Sequence, residues 1–417
     1  MRNIKDYGAV GDGVTLDTNA IQAAIDAGGM VYIPKGTYRT GTLYLKSNGG
    51  LHLAHGAVLI GSHERADYNA DDFCPQNRVF KEEWATGAHL ITAVEQENIV
   101  IEGYGVIDGQ GDFWMNESKT NEGWPDPENR DYAPNEDRPA QMIFICECKN
   151  VRIKDVNIVN GPFWHLFFHG CEDVFVRGLN IRGDRPRWTN DGIDVDCCSR
   201  VTISDCMIDV GDDALTIRAN NEPLLHNGGR CENIMVTNCI LRSARDYGMR
   251  IGVGDGVISN CTFSNLNIEA PNICGIGIMS RWSPESKYVT SMERLIFSGC
   301  NIKSRIPFDI FVANDDIPLK KPCFIRNISF SNMIMQISES GRLKGTKDIP
   351  IENVSFSDTM VEVQENSNFG GAVFNLQDVS DVRFDGLNII SNSYGIKTKK
   401  ISTNSCQNVT VNGCELY

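Results

Sequence analysis

The chain has 417 residues and a mass of 46.3 kDa, with 41% hydrophobic and 22% charged residues, the balance of a water-soluble folded protein. No apolar run approaches the ~18 residues that a bilayer-spanning helix needs, which excludes a helical membrane protein. A formal charge of −15 and a pI near 5.0 argue against nucleic acid as a partner, and a long polyanionic substrate needs a locally basic pocket.

In chain order, the opening MRNIKDYGAVGDG carries no basic segment followed by an apolar stretch and a small-residue cleavage site. The expectation is a cytoplasmic protein, or a secreted one had a leader been removed. Next comes the one stretch with helical periodicity, DTNAIQAAIDA, with Asp17 or Thr18 as its expected cap. This helix is expected to cover the open end of a first coil, so that residues 1–60 form a cap and the first coils. Residues 62–90 are polar and irregular.

A single pattern then recurs: a polar residue, alternating apolar and polar positions, a small or polar turn residue, and another apolar pair. It reads NIVIEGYGVIDG from Asn98, NVRIKDVNIVNG from Asn150, DVFVRGLNIRG from Asp173, RVTISDCMIDVG from Arg200 and NIMVTNCILRS from Asn233. Further copies are RLIFSGCNIKS, NISFSNMIMQI, NVSFSDTMVEV, DVRFDGLNIIS and NVTVNGCEL. Period-two alternation means strands, and recurrence at this spacing means stacked coils sharing one core. The predicted fold is all-β: one right-handed parallel β-helix domain over 1–417 with a short N-terminal capping helix. Asn and Asp at the repeat starts, such as Asn150, Asp173, Asn233 and Asn353, are expected to bond to the backbone at turns.

Residues 111–139 interrupt the rhythm. This insert is predicted to wall one end of a cleft, with Trp114 and Trp124 offering faces to sugar rings. Most of the 15 cysteines sit inside apolar runs and are expected to be reduced core residues. There is no CxxC pair and there are only 7 histidines, so neither a metal nor a cofactor is expected.

The stretch from Thr189 to Arg218 holds Asp191, Asp194, Asp196, Asp205, Asp209, Asp212 and Asp213 among apolar residues. Asp205 and Asp209 fall at repeat positions filled elsewhere by turn residues and are expected at the surface. Asp212 and Asp213 follow Gly211 at a strand end, where a kink at the glycine would let both face solvent. Asp191 lies 21 residues before Asp212, about one coil, so the three carboxylates are expected within several ångströms of each other. Their repulsion should raise at least one pKa and leave an acid beside ionised bases, which inverting glycosidic hydrolysis requires.

These residues carry a resemblance. The chain resembles glycoside hydrolase family 28, the polygalacturonase family of right-handed β-helices. The likeness runs from YGVIDGQGDFW at 104–114 to about residue 282, through RPAQMIFICECKNVRIKDVNIVNGPFW, TNDGIDVD and DVGDDALTIR, in the family's order. The resemblance implies that Asp212 is the general acid, that Asp191 and Asp213 hold and activate the water, and that Asp194 supports them. The chain also departs from the family. Its Gly-His-Gly motif is RDYGMRIGVG here, with Tyr247 at the His position. Its Arg-Ile-Lys motif is GIGIMSRW here, with Gly277 and Met279 replacing the cations, and Thr189 and Asn190 are swapped. Arg218, Arg250 and Arg281 are candidates for a relocated carboxylate clamp. Tyr247, Trp188 and His165 are further candidate substrate contacts, with His169 beside them.

The expected activity is inverting hydrolysis of pectin-derived, uronate-containing oligosaccharides, acting from one end. Two alternatives stand beside it: a β-elimination lyase, and a non-catalytic carbohydrate-binding β-helix. The expected partner is the oligosaccharide, with no nucleic acid and no membrane; the oligomeric state is open.

Overall fold

A computed structural model describes residues 1–116, 133–183, 189–281, 289–312, 323–364, 369, 372–391, 399–412 and 414–415. These divide into two compact units, one of Met1–Asp194 with Glu222–His226, the other of Val195–Asn221 with Asn227–Tyr417. Each is built from parallel coils with three strands per turn, the right-handed parallel β-helix. Among the described residues no helix is long and apolar enough to cross a membrane.

In the first unit one sheet stacks Met30–Ile33, Gly49–Leu53, Glu97–Gly103, Lys149–Lys154 and Glu172–Arg177. A second row stacks Gly36–Thr40, Ala57–Gly61, Val106–Asp108, Asn157–Val159 and Asn180–Arg182. The third row stacks Leu43–Tyr44, Ile91–Val94, Ile143–Cys146 and Leu166–His169. The helix forms at Thr18–Asp26, burying Ile21, Ala24 and Ile25 against the first coil. Asp17 occupies the cap position, but its carboxylate does not cap. It accepts from the backbone N–H of Val10 and Gly11 at 2.6 and 2.9 Å, tying the preceding loop to the helix start.

The second unit repeats the plan. Its core is legible in the repeat: the Phe of TFSN, IFSG, SFSN, SFSD and RFDG falls at one inward position per coil. Phe263, Phe297, Phe330, Phe356 and Phe384 stack in register, ring centroids 4.9, 4.7, 4.7 and 4.8 Å apart. That is the ~4.8 Å spacing of neighbouring strands, so the backbone ladder sets the ring stack. The cysteines pack the same way: Cys146, Cys231, Cys261 and Cys274 are free, buried thiols, and burial pushes each one up from the ordinary thiol range.

The repeat-start residues behave differently from expectation. Asn98, Asn150, Asp173, Asn233, Asn353 and Asn408 lie inside strands with φ between 51° and 59°. The left-handed region is open to Asn and Asp because a short polar side chain relieves the clash. Register steps over them: Lys149 faces Glu172 and Val151 faces Val174, with Asn150 and Asp173 between. The side chains of Asn98, Asn150, Asn353 and Asn408 bond to Asn or Asp side chains of neighbouring coils rather than to backbone. Asn150 Nδ2 reaches Asn98 Oδ1 at 2.7 Å, and Asn353 Nδ2 reaches Asn327 Oδ1 at 2.7 Å.

Candidate active site

In the second unit the strand Met207–Val210 ends at Gly211, and Leu215–Ala219 begins the next side of the coil. One coil on, Ile240–Ser243 ends in the turn that precedes Tyr247–Gly254. The two corners are laced together. Ala244 N–H donates to Val210 O at 2.9 Å, and Ala214 N–H donates to Tyr247 O at 3.2 Å. Tyr247 N–H donates to Asp213 Oδ1 at 3.2 Å, and Arg250 Nη1 pairs with Asp213 Oδ2 at 3.1 Å. Asp213 in turn donates its N–H to Asp212 Oδ1 at 3.0 Å.

Asp212 and Asp213 are therefore not solvent-facing as the sequence suggested. They are 8% and 1% exposed. Gly211 stays outside the left-handed region, so a left-handed glycine is not what aims them. The corner itself does so, because leaving the strand ends the alternation of faces.

A residue the motifs do not flag joins them. Asp212, Asp213 and Asp246 offer carboxylate oxygens that all lie within 4.8 Å of one another. Burial, then the charges of Asp213 and Asp212, push the Asp246 carboxyl up to about 9, against the opposing pull of Arg250. Burial by itself would lower Arg250, but the charges of Asp213 and Asp246 override it and raise it. The raised carboxyl is Asp246, a residue outside the three in which one was expected, and burial is the first cause. A signal was present: strands of these two coils pair at offsets of 33 (Met207 with Ile240) and 34 (Leu215 with Met249). Added to Asp212 and Asp213, those offsets fall on and around Asp246. Three carboxylates this close are a donor set for a cation, and the Arg250 guanidinium supplies positive charge to this one.

Tyr247 and Gly277 depart from the family motifs together. Arg250 faces Gly277 in register, and a Cβ on Gly277 would lie 2.6 Å from Tyr247 Cδ1 and 2.7 Å from Met279 Cε. The Tyr247 ring and Met279 fill the space a side chain at 277 would need. Arg250 stands over the Tyr247 ring at 5.8 Å, a cation–π distance. On the next coil Asp309 faces Gly277 and forks with Arg342 through two 2.6 Å bonds. Arg218 is half-buried on Leu215–Ala219. Arg281 ends the strand Asn267–Arg281, with its side chain outside the described residues, as are Trp188 and Trp124 entirely. Asp196 accepts from Asn220 N–H at 2.7 Å, Asp205 is an exposed left-handed corner, and Asp209 pairs with Arg242 at 2.8 Å.

In the first unit, Asp191 is 2% exposed and is held through its backbone. Its carbonyl accepts from His165 N–H at 2.9 Å and His165 Nδ1 at 2.8 Å. Gly161 N–H donates to His165 Nε2 at 3.1 Å, so Nε2 is the acceptor and Nδ1 carries the proton. His165 was a candidate substrate contact. The structure instead buries it completely, with both ring nitrogens on backbone groups. Asn190 Nδ2 bonds Gly161 O at 2.9 Å, and buried Arg138 donates to Thr189 Oγ1 at 2.9 Å and Pro162 O at 3.1 Å. Arg138 also lies 4.9 Å over the Phe163 ring, so one buried guanidinium fixes the start of the Thr-Asn-Asp motif. Motif reading missed it because its partners are far off in sequence. His169 is buried against Phe167, and Trp114 is 1% exposed, packed edge-on to Tyr68, which removes it as a sugar platform.

A second cluster in this unit, Glu95, Glu147 and His226, has ligand atoms within 4.8 Å of one another. Its charge is met by donors. Glu147 accepts from Leu225 N–H at 3.0 Å, from His226 N–H at 2.5 Å and from Gln76 Nε2 at 2.9 Å.

The sequence matches the family model of glycosyl hydrolases family 28 over residues 31–292. It is 30% identical over 255 residues to the exo-poly-alpha-D-galacturonosidase of Dickeya chrysanthemi, covering 52% of this chain and 42% of the relative. It is 27% identical over 228 residues to a probable polygalacturonase of Vitis vinifera, covering 52% and 44% respectively. The chain thus spans about half the length of the curated relatives it matches. In structure it resembles the family 28 exopolygalacturonase of Yersinia enterocolitica, with TM-score 0.77, 20% identity, and coverage of 100% of this chain and 79% of that one. It also resembles the exopolygalacturonase of Thermotoga maritima, with TM-score 0.66, 22% identity and coverage of 93% and 91%. Both likenesses are of fold.

Proposed function

Because the chain belongs to glycosyl hydrolases family 28, we propose that it is an inverting glycoside hydrolase of pectin-derived, uronate-containing oligosaccharides, acting from a chain end. The observation that best supports this is the buried Asp212–Asp213–Asp246 cluster around Arg250, set in the family's Gly-Asp-Asp motif. Asp212 gives its proton to the glycosidic oxygen as the bond from that oxygen to the anomeric carbon breaks. Water held by Asp213 attacks that carbon from the opposite face, and its proton passes to a carboxylate. Breakage on one face and attack on the other invert the anomeric configuration.

The end-acting part of the reading is supported by the likeness to the exo-poly-alpha-D-galacturonosidase of Dickeya chrysanthemi. The uronate part needs a cation. With Gly277 and Met279 in place of the family's cations, Arg250 and Arg218 take that role, since a guanidinium fork can meet two carboxylates at once.

The test is product analysis by mass spectrometry and anomeric NMR on a panel of galacturonan and rhamnogalacturonan oligosaccharides, with Asp212→Asn as control. Release of a terminal sugar of inverted configuration, lost in the variant, is the expected result. An unsaturated, ultraviolet-absorbing product would replace hydrolysis with elimination. No cleavage across the panel would overturn the pectic reading.

A further inference from the structure

The family's third motif is Gly-His-Gly, so the position before Tyr247 carries no charge there. Here it is Asp246, half-buried in the turn that precedes Tyr247–Gly254. We propose that Asp246 is a positioning residue that shares one proton with Asp212, so that the leaving-group acid stays loaded at neutral pH. This rests on the hydrolase reading above.

The geometry carries the argument. Carboxylate oxygens of Asp246, Asp212 and Asp213 all lie within 4.8 Å of one another. A proton held by one of two neighbouring carboxylates turns an acceptor into a donor, so the pair can hydrogen-bond instead of repelling. Arg250 Nη1 and the Tyr247 N–H face the two oxygens of Asp213. A proton shared by Asp212 and Asp246 relieves the mutual repulsion of carboxylates this close.

The groups facing Asp246 come from three coils. Asp212 and Asp213 lie on the preceding corner, Tyr247 and Arg250 on its own strand, and Cys274 on the following one. Burial raises both the Tyr247 phenol and the Cys274 thiol, so neither adds charge near neutrality. Arg250 is the cation among them. A lone aspartic acid would have lost its proton well below neutral pH; the pair keeps it. In the reaction the proton leaves the pair for the departing oxygen, which takes the electron pair of the broken bond. Water supplies hydroxyl to the sugar and a proton to the base, and exchange with solvent reloads the pair.

Two measurements test this. The first needs no substrate: an infrared pH titration of the carboxylic C=O band, as a difference between wild type and Asp246→Asn. A protonated-carboxyl band present in wild type at neutral pH and missing from both Asp246→Asn and Asp212→Asn is expected. Its absence from wild type would overturn the proposal whether or not the protein cuts pectin. The second is the pH profile of kcat/KM. In Asp246→Asn the alkaline limb should move down by roughly one pH unit or more, because the like charge beside Asp212 is gone. KM should be unchanged, and Asp246→Glu should restore the limb. An alkaline limb that stays in place while the rate falls equally at every pH would reduce Asp246 to a structural residue. A clear shared-proton band with no cleavage on the panel would instead leave the pair standing and overturn the pectic hydrolase reading.

Discussion

Two carboxylate clusters of similar tightness serve opposite ends. Around Glu147 the neighbours are donors: two backbone N–H groups and the Gln76 amide, whose nitrogen also reaches Glu95 at 2.8 Å. Asp212, Asp213 and Asp246 instead bring three carboxylates within 4.8 Å of one another, with Arg250 paired to Asp213. The first arrangement satisfies a full negative charge and ties down a loop. The second crowds like charges, which on our proposal share a proton. A cluster of acids is therefore scaffold or tool according to whether its partners are N–H groups or more oxygens.

The comparison breaks most sharply on activity. Asp212→Asn should lower kcat by roughly 10²–10⁴-fold, the worth of a general acid, with an unchanged circular dichroism spectrum. Glu147→Gln should leave kcat within a factor of about two, since nothing assigns that cluster to the chemistry. On stability the order reverses. Glu147→Ala strands two backbone N–H groups and should cost about 1–3 kcal/mol in urea unfolding.

A perturbation of similar size lies beside the catalytic cluster. Gly277→Ala puts a Cβ within 2.6 Å of the Tyr247 ring and should destabilise by about 1–3 kcal/mol. In a Tyr247→Ala background most of that cost should disappear, and a double-mutant cycle would show the coupling.

The pH dependence separates the clusters again. Burial and the neighbouring carboxylates raise Asp246 to about 9 in the folded state, from the ordinary aspartate value of 3.8, so the native state keeps a proton that the unfolded chain has lost. Its contribution to stability is fully present below the lower value and falls as pH rises towards the upper one. Unfolding midpoints should therefore decline across that window in wild type and in Glu147→Ala, and decline less in Asp246→Asn. The smallest effect belongs to the exposed Glu95–His226 pair at 3.2 Å: Glu95→Gln should change stability by less than about 1 kcal/mol.

Much of the fold was legible because strand periodicity is local. The repeat marks where each coil begins, where Phe263, Phe297, Phe330, Phe356 and Phe384 point, and where a strand must bend. The backbone conformation of the repeat-start Asn and Asp was less legible: the composition marks a special position, while only the stacked coils show that these residues bond to each other. At the site, the motif acids could be named from the sequence, but their burial could not. His165 was a candidate substrate contact through the family resemblance, and the structure spends both ring nitrogens on Gly161 and Asp191 backbone.

What the sequence by itself determined is the coil: alternation, recurrence and inward residues, all set by neighbours within a few positions along the chain. What the tertiary structure decided is which groups meet between coils. Asp246 meets Asp212, the Tyr247 ring fills the space over Gly277, and Arg138 reaches Thr189. Strand pairing changes from an offset of 33 to 34 residues between Met207 with Ile240 and Leu215 with Met249. Because side chains alternate faces with a period of two, one residue more or less at a corner changes which charges are neighbours.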